Sequence, residues 1–242
     1  MPAWSADTRS SRCQPHSTER LARRWLPQQA KLVSECERSC LPAAHSPRWA
    51  YIGWHELVAL RWEGYSRISN AISELHLTGT PTKLLLDPWQ GWVNSALLAS
   101  FGVGIWLSAR GSRSLRVSGA LMILPATMTP LWMIFGKASL AAHIALAVVG
   151  ILSWLVAMGF GAAALGKRFR LYSLVSLAAV VAFNALALSY APEVNAGQPT
   201  PFIGLDERIA FATYFLWQSV LAVALWPRRP NTPAKGAVAP AT

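Results

Sequence analysis

The sequence predicts an all-α fold, a polytopic bundle of transmembrane helices, and three observations support this prediction. Five long apolar runs fill the second half of the 242-residue chain. No Asp or Glu occurs between Pro88 and Pro192. Beyond the N-terminal stretch, the basic residues are concentrated in short segments between the apolar runs. The hydrophobic content of 53% agrees with this class of protein.

Each apolar run reaches or approaches the length that crosses a bilayer. A helix needs about 20 apolar residues to span about 30 Å of hydrocarbon. A backbone in lipid must also satisfy its own polar groups, which a helix does. The five clear spans are Trp89–Ala109, Val117–Phe135, Ala138–Leu165, Leu171–Ala191 and Ile209–Trp226. Residues 89–227 should therefore form the transmembrane bundle.

Basic-rich and basic-poor loops alternate along the chain, and this alternation predicts the orientation of the helices. The basic-rich segments follow the first, third and fifth runs and contain Arg110, Arg113, Arg116, Lys167, Arg168, Arg170, Arg228, Arg229 and Lys235. The loop after the second run holds only Lys137, and the loop 192–208 is net acidic. Because basic loops stay in the cytoplasm, we expect the tail 228–242 to be cytoplasmic and 192–208 to be external.

This orientation requires one more crossing upstream, and the sequence offers only a poor candidate for that sixth, first span. The stretch Trp49–Trp62 is short and holds His55 and Glu56. It therefore suits an interfacial or degenerate first helix, which residues 49–88 would combine with an external loop. Residues 1–48 show no hydrophobic periodicity, which predicts a disordered or non-native segment.

Composition argues against several classes of partner. The net charge of +11 marks loops rather than a binding stripe, so we expect no nucleic acid. Cys13, Cys36 and Cys40, with His45 nearby, fit no standard zinc spacing, so we expect no metal site. His143 has no second histidine within a span to complete a haem site. No phosphate loop or catalytic motif occurs, and we expect no cofactor.

Three polar elements are predicted to meet at the external face and to bind a ligand. Ser73 and Glu74 follow a short amphipathic stretch, His143 lies about one turn inside the third run, and Glu207 and Arg208 open the last helix. An unpaired carboxylate near hydrocarbon is costly. We therefore expect Glu74 to approach Arg208 or His143.

Polar and small residues within the spans have a structural interpretation. Asn94, Asn184 and Gln218 lie inside apolar runs, where such side chains usually form hydrogen bonds between helices. The glycine- and alanine-rich run from Gly159 to Gly166 should allow a neighbouring helix to approach closely.

Several of these residues belong to motifs that resemble a known family. In chain order the motifs are Gly64-Tyr65-Ser66, Ile72-Ser73-Glu74-Leu75 with Gly79 and Pro81, Gly204-Leu205, Glu207-Arg208 and Trp217. Over about residues 64–227 the chain resembles a bacterial membrane family catalogued as domain of unknown function 998. The resemblance implies a six-helix protein of the bacterial plasma membrane whose first span precedes the Gly-Tyr pair. It implies no reaction.

Two function classes follow from these observations. The chain is either a non-enzymatic membrane protein that binds a lipid, a small ligand or a partner through its external face, or a small membrane-embedded enzyme or carrier using Glu74, His143 and Glu207. An enzyme requires an acid, a base and a nucleophile, such as Ser73, within hydrogen-bond reach. A binding protein requires an apolar cavity open to lipid. The sequence does not fix an oligomeric state.

Overall fold

The computed structural model describes residues 45–136 and 139–226, and all regular secondary structure in these ranges is helical. The α-helices are α1 His45–Ala59, α2 Lys83–Pro88, α3 Ser95–Leu107, α4 Arg113–Leu131, α5 Leu140–Ala164, α6 Lys167–Ser189, α7 Ala191–Asn195 and α8 Ile203–Leu225. A 3-10 turn spans Ile72–His76, and π turns span Trp89–Asn94 and Trp132–Gly136. The predicted all-α class is confirmed.

Some sequence-based predictions lie outside the described residues. These are the disordered or non-native segment up to residue 44, with all three cysteines, the loop at Lys137 and the tail 228–242.

Four helices in the described ranges are long and apolar enough to cross a membrane. They are Arg113–Phe135, Ala141–Ala164, Lys167–Asn195 and Ile203–Leu225, and they coincide with the last four predicted runs. The first predicted run is helical through Leu107 but is not among the four. Gln90 and Asn94 lower the hydropathy of its first turns. Four membrane-capable helices indicate a multi-pass membrane protein.

Short polar residues start two of these helices. The Ser112 hydroxyl accepts a hydrogen bond from the backbone N–H of Leu115 and starts α4, and Ser139 accepts one from Ala142 and starts α5. Such caps satisfy backbone donors that have no partner inside the helix. The turn before α4 contains Gly111 at a φ of 93°, a conformation that glycine adopts without steric cost.

Helices α3 and α4 pack with their backbones in direct contact. A Cβ on Gly102 would lie 2.7 Å from the carbonyl oxygen of Gly119, and a Cβ on Gly119 would lie 2.8 Å from the carbonyl oxygen of Gly102. Only glycine fits such an approach, which is a common way to pack helices in membranes. The hydroxyl of Ser118 donates to the carbonyl oxygen of Ala157 at 2.8 Å and ties α4 to α5.

Trp217 on α8 is fully buried among α5, α6 and α8. Its Nε1 donates to the Ser173 hydroxyl at 2.9 Å. A Cβ on Gly161 would lie 2.8 Å from Cζ2 of Trp217, so Gly161 makes room for the indole. The glycine-rich run thus does allow close approach, but through one residue, since Gly159 and Gly166 have open space beside them. We refer to the region around Gly102, Gly119, Gly161 and Trp217 as the closed half.

The predicted hydrogen bonds between helices at polar intramembrane residues do not form as expected. Asn184 donates to the carbonyl oxygen of Val180 one turn earlier, and Asn94 donates to Gln90 on the same helical stretch. Both amide atoms of the buried Gln218 have no hydrogen-bond partner among the described residues. Satisfying an amide within its own helix removes the need for a partner on another helix.

Helix α1 lies antiparallel along α8. The Trp49 indole donates to the Ser219 hydroxyl at 3.3 Å, while seven residues later Glu56 accepts from Arg208 at 2.7 Å. Between these contacts the buried ring of Tyr51 packs edge-on against Phe215, with centroids 5.6 Å apart. The stretch that the sequence identifies as a poor span is therefore an integral part of the bundle.

Candidate functional site

Gly204, one of the motif residues, lies against the loop that joins the Gly64-Tyr65-Ser66 and Ile72–Leu75 motifs. A Cβ on Gly204 would lie 2.2 Å from the carbonyl oxygen of Asn70 and 2.7 Å from that of Arg67. The first turn of α8 therefore rests directly on the loop backbone, and only glycine permits this distance. We refer to residues 65–72 and 200–208 together as the loop junction.

Three hydrogen bonds connect backbone groups of the loop 65–72 to residues of the segment 200–208. Ile68 accepts from the N–H of Leu205 at 3.1 Å, and Ser69 accepts from the Thr200 hydroxyl at 3.0 Å. The N–H of Ile72 donates to Glu207 Oε2 at 2.6 Å. These bonds pair loop backbone groups that no helix or strand would otherwise satisfy.

Arg208 is the central cation of the loop junction. Its Nε donates to Glu56 Oε1 at 2.7 Å, and its Nη1 donates to the carbonyl oxygens of Arg67 and Gly204 at 2.9 and 3.0 Å. Its Nη2 donates to the Tyr65 hydroxyl at 3.2 Å. Burial raises the pKa of Tyr65, while the bond and the charge from Arg208 act in the opposite direction. Arg208 thus joins α1, the loop and α8.

The expected approach of Glu74 to Arg208 or His143 is wrong as a direct contact. Glu74 accepts from the N–H of Ala71 at 2.7 Å and from the Asn70 amide at 2.8 Å, so it closes the first turn of the 3-10 helix. The carboxylate on Arg208 is Glu56, which also pairs with Arg67. The sequence offered one signal for this pair, because Glu56 is the one carboxylate in the mostly apolar stretch Trp49–Trp62.

Two buried histidines connect α1, the 3-10 turn and α2. His55 donates through Nδ1 to the carbonyl oxygen of Tyr51 at 2.8 Å, and its Nε2 lies 3.1 Å from Nε2 of His76. Nδ1 of His76 faces the Asp87 carboxylate at 3.1 Å, and Asp87 also pairs with Lys83. No local pattern indicated this pair, since the two histidines are 21 residues apart.

A cavity of about 950 Å³ lies beside the loop junction. Its wall is formed by residues of α1, α4, α5, α6, α8, the 69–77 loop and the 191–201 segment. Aromatic and aliphatic side chains form most of the surface, including Trp132, Trp154 and Phe211. Polar groups join this wall mainly from the loop and from the helix ends that lie nearest to it.

Four of the five predicted ligand-binding residues line this one cavity: Ser73, Glu74, His143 and Glu207. Arg208 does not line it, because its guanidinium is directed into the loop junction. His143 packs edge-on against Trp132, with centroids 5.1 Å apart, and Trp132 packs in the same way on His76. His76, Asn94 and Gln90 also line the cavity and were not predicted as site residues.

The described residues do not form a catalytic or metal-binding constellation. No hydrogen bond in the described ranges connects Ser73 with His143 or with either glutamate. No three His, Cys, Asp or Glu side chains of these ranges converge as metal ligands would. The arrangement is instead a mostly apolar cavity with the carboxylates of Glu74 and Glu207 in its wall beside the loop junction.

Comparison with known proteins identifies a family and nothing further. A family model described as "Protein of unknown function (DUF998)" matches residues 47–224. None of the curated proteins and none of the solved structures that were compared matches the chain. The match begins at residue 47 rather than at Gly64, where the motif resemblance began, so nearly all of α1 lies within the matched region.

Proposed function

Because this chain belongs to the DUF998 family of proteins of unknown function, whose name indicates no activity, we propose a role from its site. The protein is a multi-pass membrane protein that holds an amphiphile, such as a lipid, in the cavity beside the loop junction. The head of the amphiphile lies at the loop end and its chain lies between the helices. In this role the protein binds its ligand and carries out no reaction on it.

The cavity is the observation that supports this proposal. A volume of about 950 Å³ lies within the range of known small-molecule sites, which are mostly apolar with a few placed polar groups. Leu152 on α5 and Leu188 on α6 line the cavity, and each is about half exposed, at 53% and 50%. We infer that the cavity is open between α5 and α6, which gives a chain a path to enter from the bilayer.

We further propose that the cavity opens toward the external side. The alternation of loop charge supports cytoplasmic turns at 110–116 and 167–170. Helix α1 supports six crossings, because its 15 residues extend roughly 22 Å along α8. With α1 as the first crossing and the stretch ending at Leu107 as the second, the loop junction and the 191–201 segment are external and the C-terminus is cytoplasmic.

The alternative is a membrane-embedded enzyme or carrier using Glu74, His143 and Glu207. These side chains share the cavity, which is the one feature in favour of that alternative. Each carboxylate is already bonded to the loop, to Ala71 and Asn70 or to Ile72. An acid and a base within hydrogen-bond reach of a nucleophile are what catalysis requires, and the contacts of Ser73 do not provide them.

The proposal is tested by filling the cavity from one position of α5. Ala147 lines the cavity, whereas Ala145 does not line it and is exposed on the outside of the same helix. We expect Ala147→Phe to lose most of the lipid that native mass spectrometry detects on protein purified in mild detergent. Ala145→Phe is the matched control and should retain it. Equal lipid retention by both variants would contradict cavity binding.

The orientation is tested by cysteine labelling in intact cells. In a variant with Cys13, Cys36 and Cys40 replaced by serine, Gly197→Cys should react with a membrane-impermeant maleimide. Ser114→Cys, in the basic segment, should react only after permeabilisation. The reverse labelling pattern would contradict the proposed topology without affecting the proposed cavity.

A further inference from the structure

The charged side chains at the cavity wall bear on the class of ligand, provided that the proposed function holds. Two carboxylates, Glu74 and Glu207, line the cavity, and the described lining residues include no Lys or Arg. A ligand head buried against two carboxylates and no cation is disfavoured if it is anionic, because like charges repel strongly where water is scarce.

The cations nearest to the cavity are committed elsewhere. Arg208 and Arg67 both pair with Glu56 at the loop junction. Lys83 pairs with Asp87. His76 lines the cavity, but both of its ring nitrogens face other side chains, Nδ1 the Asp87 carboxylate and Nε2 the His55 ring. Glu74 and Glu207 are therefore the carboxylates that a ligand in the cavity meets.

Some acceptors on the wall have unused capacity. Glu207 receives the Ile72 N–H on Oε2, and its Oε1 has no hydrogen bond among the described residues. Asn94 is 5% exposed, and its side-chain oxygen has no hydrogen-bond partner among those residues either. A carboxylate or amide oxygen can accept two hydrogen bonds. A ligand that donates hydrogen bonds can therefore bind to both oxygens.

Aromatic rings complete the environment for a cation. Trp132, Trp154 and Tyr51 line the same cavity. An ammonium group over the face of such a ring is attracted by the electron density of the ring, most strongly when both are removed from water. Carboxylates, free acceptors and indoles are together the groups that recognise a protonated amine.

We propose that the cavity selects an amphiphile with a protonated primary amine as its head group and rejects anionic head groups. The amine belongs to a long-chain amine or to the ethanolamine head group of a lipid. In either case the ammonium donates to Glu207 and Glu74, and the alkyl chain occupies the apolar part of the cavity.

The test compares four twelve-carbon amphiphiles on the purified full chain in nanodiscs of neutral lipid. Each amphiphile competes with radiolabelled dodecylamine, and binding to empty discs is subtracted. Dodecylamine should bind about tenfold more tightly than dodecanol, because an ion pair with a charge-assisted hydrogen bond is added. Dodecyltrimethylammonium, which has charge but no N–H, should lie between them. Dodecanoate should bind most weakly.

Variants test whether the carboxylates carry the selectivity. Glu207→Gln keeps an oxygen that can accept from Ile72, so the loop junction retains its bond while the charge is removed. It should reduce the preference for dodecylamine over dodecanol by about fivefold or more. The control Glu63→Gln removes an exposed carboxylate outside the cavity and should leave the preference unchanged. A preference that survives in the Glu74→Gln/Glu207→Gln double variant would overturn the proposal.

The remaining outcomes separate this inference from the proposed function. Equal binding of all four amphiphiles would overturn the amine inference and leave the binding function intact. Binding of none would overturn the proposed function itself, and tightest binding of dodecanoate would overturn the amine inference alone. Lysophosphatidylethanolamine, as a fifth competitor, identifies the source of the amine. If it displaces dodecylamine, the cavity accepts the head group of a lipid. If it does not displace bound dodecylamine, the ligand is a free long-chain amine.

Discussion

The closed half of the bundle and the cavity beside the loop junction are built largely from the same helices, yet one is filled and the other is open. In the closed half, Gly102 meets Gly119 and Gly161 receives Trp217, so backbone and side chain occupy the space between helices. At the other end, a loop bonded to Glu207 and Arg208 lies over the helices. The comparison indicates that apolar composition decides which segments become membrane helices. Glycines and polar hydrogen bonds decide where those helices come into close contact and where a space remains between them.

The largest expected effect is at the loop junction. Gly204→Ala would place a Cβ at 2.2 Å from the carbonyl oxygen of Asn70, and rigid backbone must move to relieve the clash. We expect a loss of roughly 3 kcal/mol or more in the free energy of unfolding, beyond typical single substitutions. Thermal unfolding with size-exclusion monitoring measures it. Gly53→Ala on α1, with open space beside it, is the control and should be neutral or slightly stabilising. Equal melting temperatures would show that the loop is not held by this contact.

A smaller effect is expected in the closed half, because there the clash is with a side chain. Gly161→Ala would place a Cβ at 2.8 Å from Cζ2 of Trp217, and the indole can shift at the expense of its bond to Ser173. We expect a loss of about 1–3 kcal/mol. Gly159→Ala, two residues earlier with open space, provides the matched control. A larger loss in the free energy of unfolding for Gly161→Ala than for Gly204→Ala would contradict the ranking of the two regions.

The smallest effect concerns the ion pairs of the loop junction. In a double-mutant cycle, Glu56→Gln and Arg208→Gln should couple by about 1 kcal/mol, because the pair is short but partly solvated. Glu74→Gln and Arg208→Gln should be additive, since Glu74 bonds to Asn70 and Ala71 instead. Chemical unfolding of the four proteins of each cycle measures both energies. Stronger coupling at Glu74 than at Glu56 would support the arrangement expected from the sequence.

Two findings show why the site was only partly predictable. Ser73, Glu74, His143, Glu207 and Arg208 were predicted to meet at the external face, and the structure brings the first four to one cavity wall. The partner of Arg208 was missed because Glu56 is 152 residues away. The pairing depends on α1 lying along α8, and nothing in local periodicity encodes which helix lies beside another.

The motif residues were also interpreted in a way that the structure changes. Gly204, Glu207 and Arg208 formed a recognisable pattern, and the sequence suggested a ligand role for the two charged residues. In the structure Gly204 gives room to the loop, while Arg208 bonds Tyr65 and Glu56. Glu207 both bonds the loop and lines the cavity. A motif can therefore be recognised without its role being known, because a residue that holds a loop and one that binds a ligand use the same chemistry.

The sequence by itself determined the all-α class, the four membrane-capable helices and the family. These depend on length, hydropathy and short motifs, which are local properties of the chain. Only the tertiary structure decided that α1 lies along α8, that His55 meets His76 and that a cavity of about 950 Å³ lies beside the loop junction. The physical reason is that cavities and ion pairs arise from distances between segments far apart in the chain. Those distances are set by close contacts such as Gly204 against Asn70, whose partners no local pattern specifies.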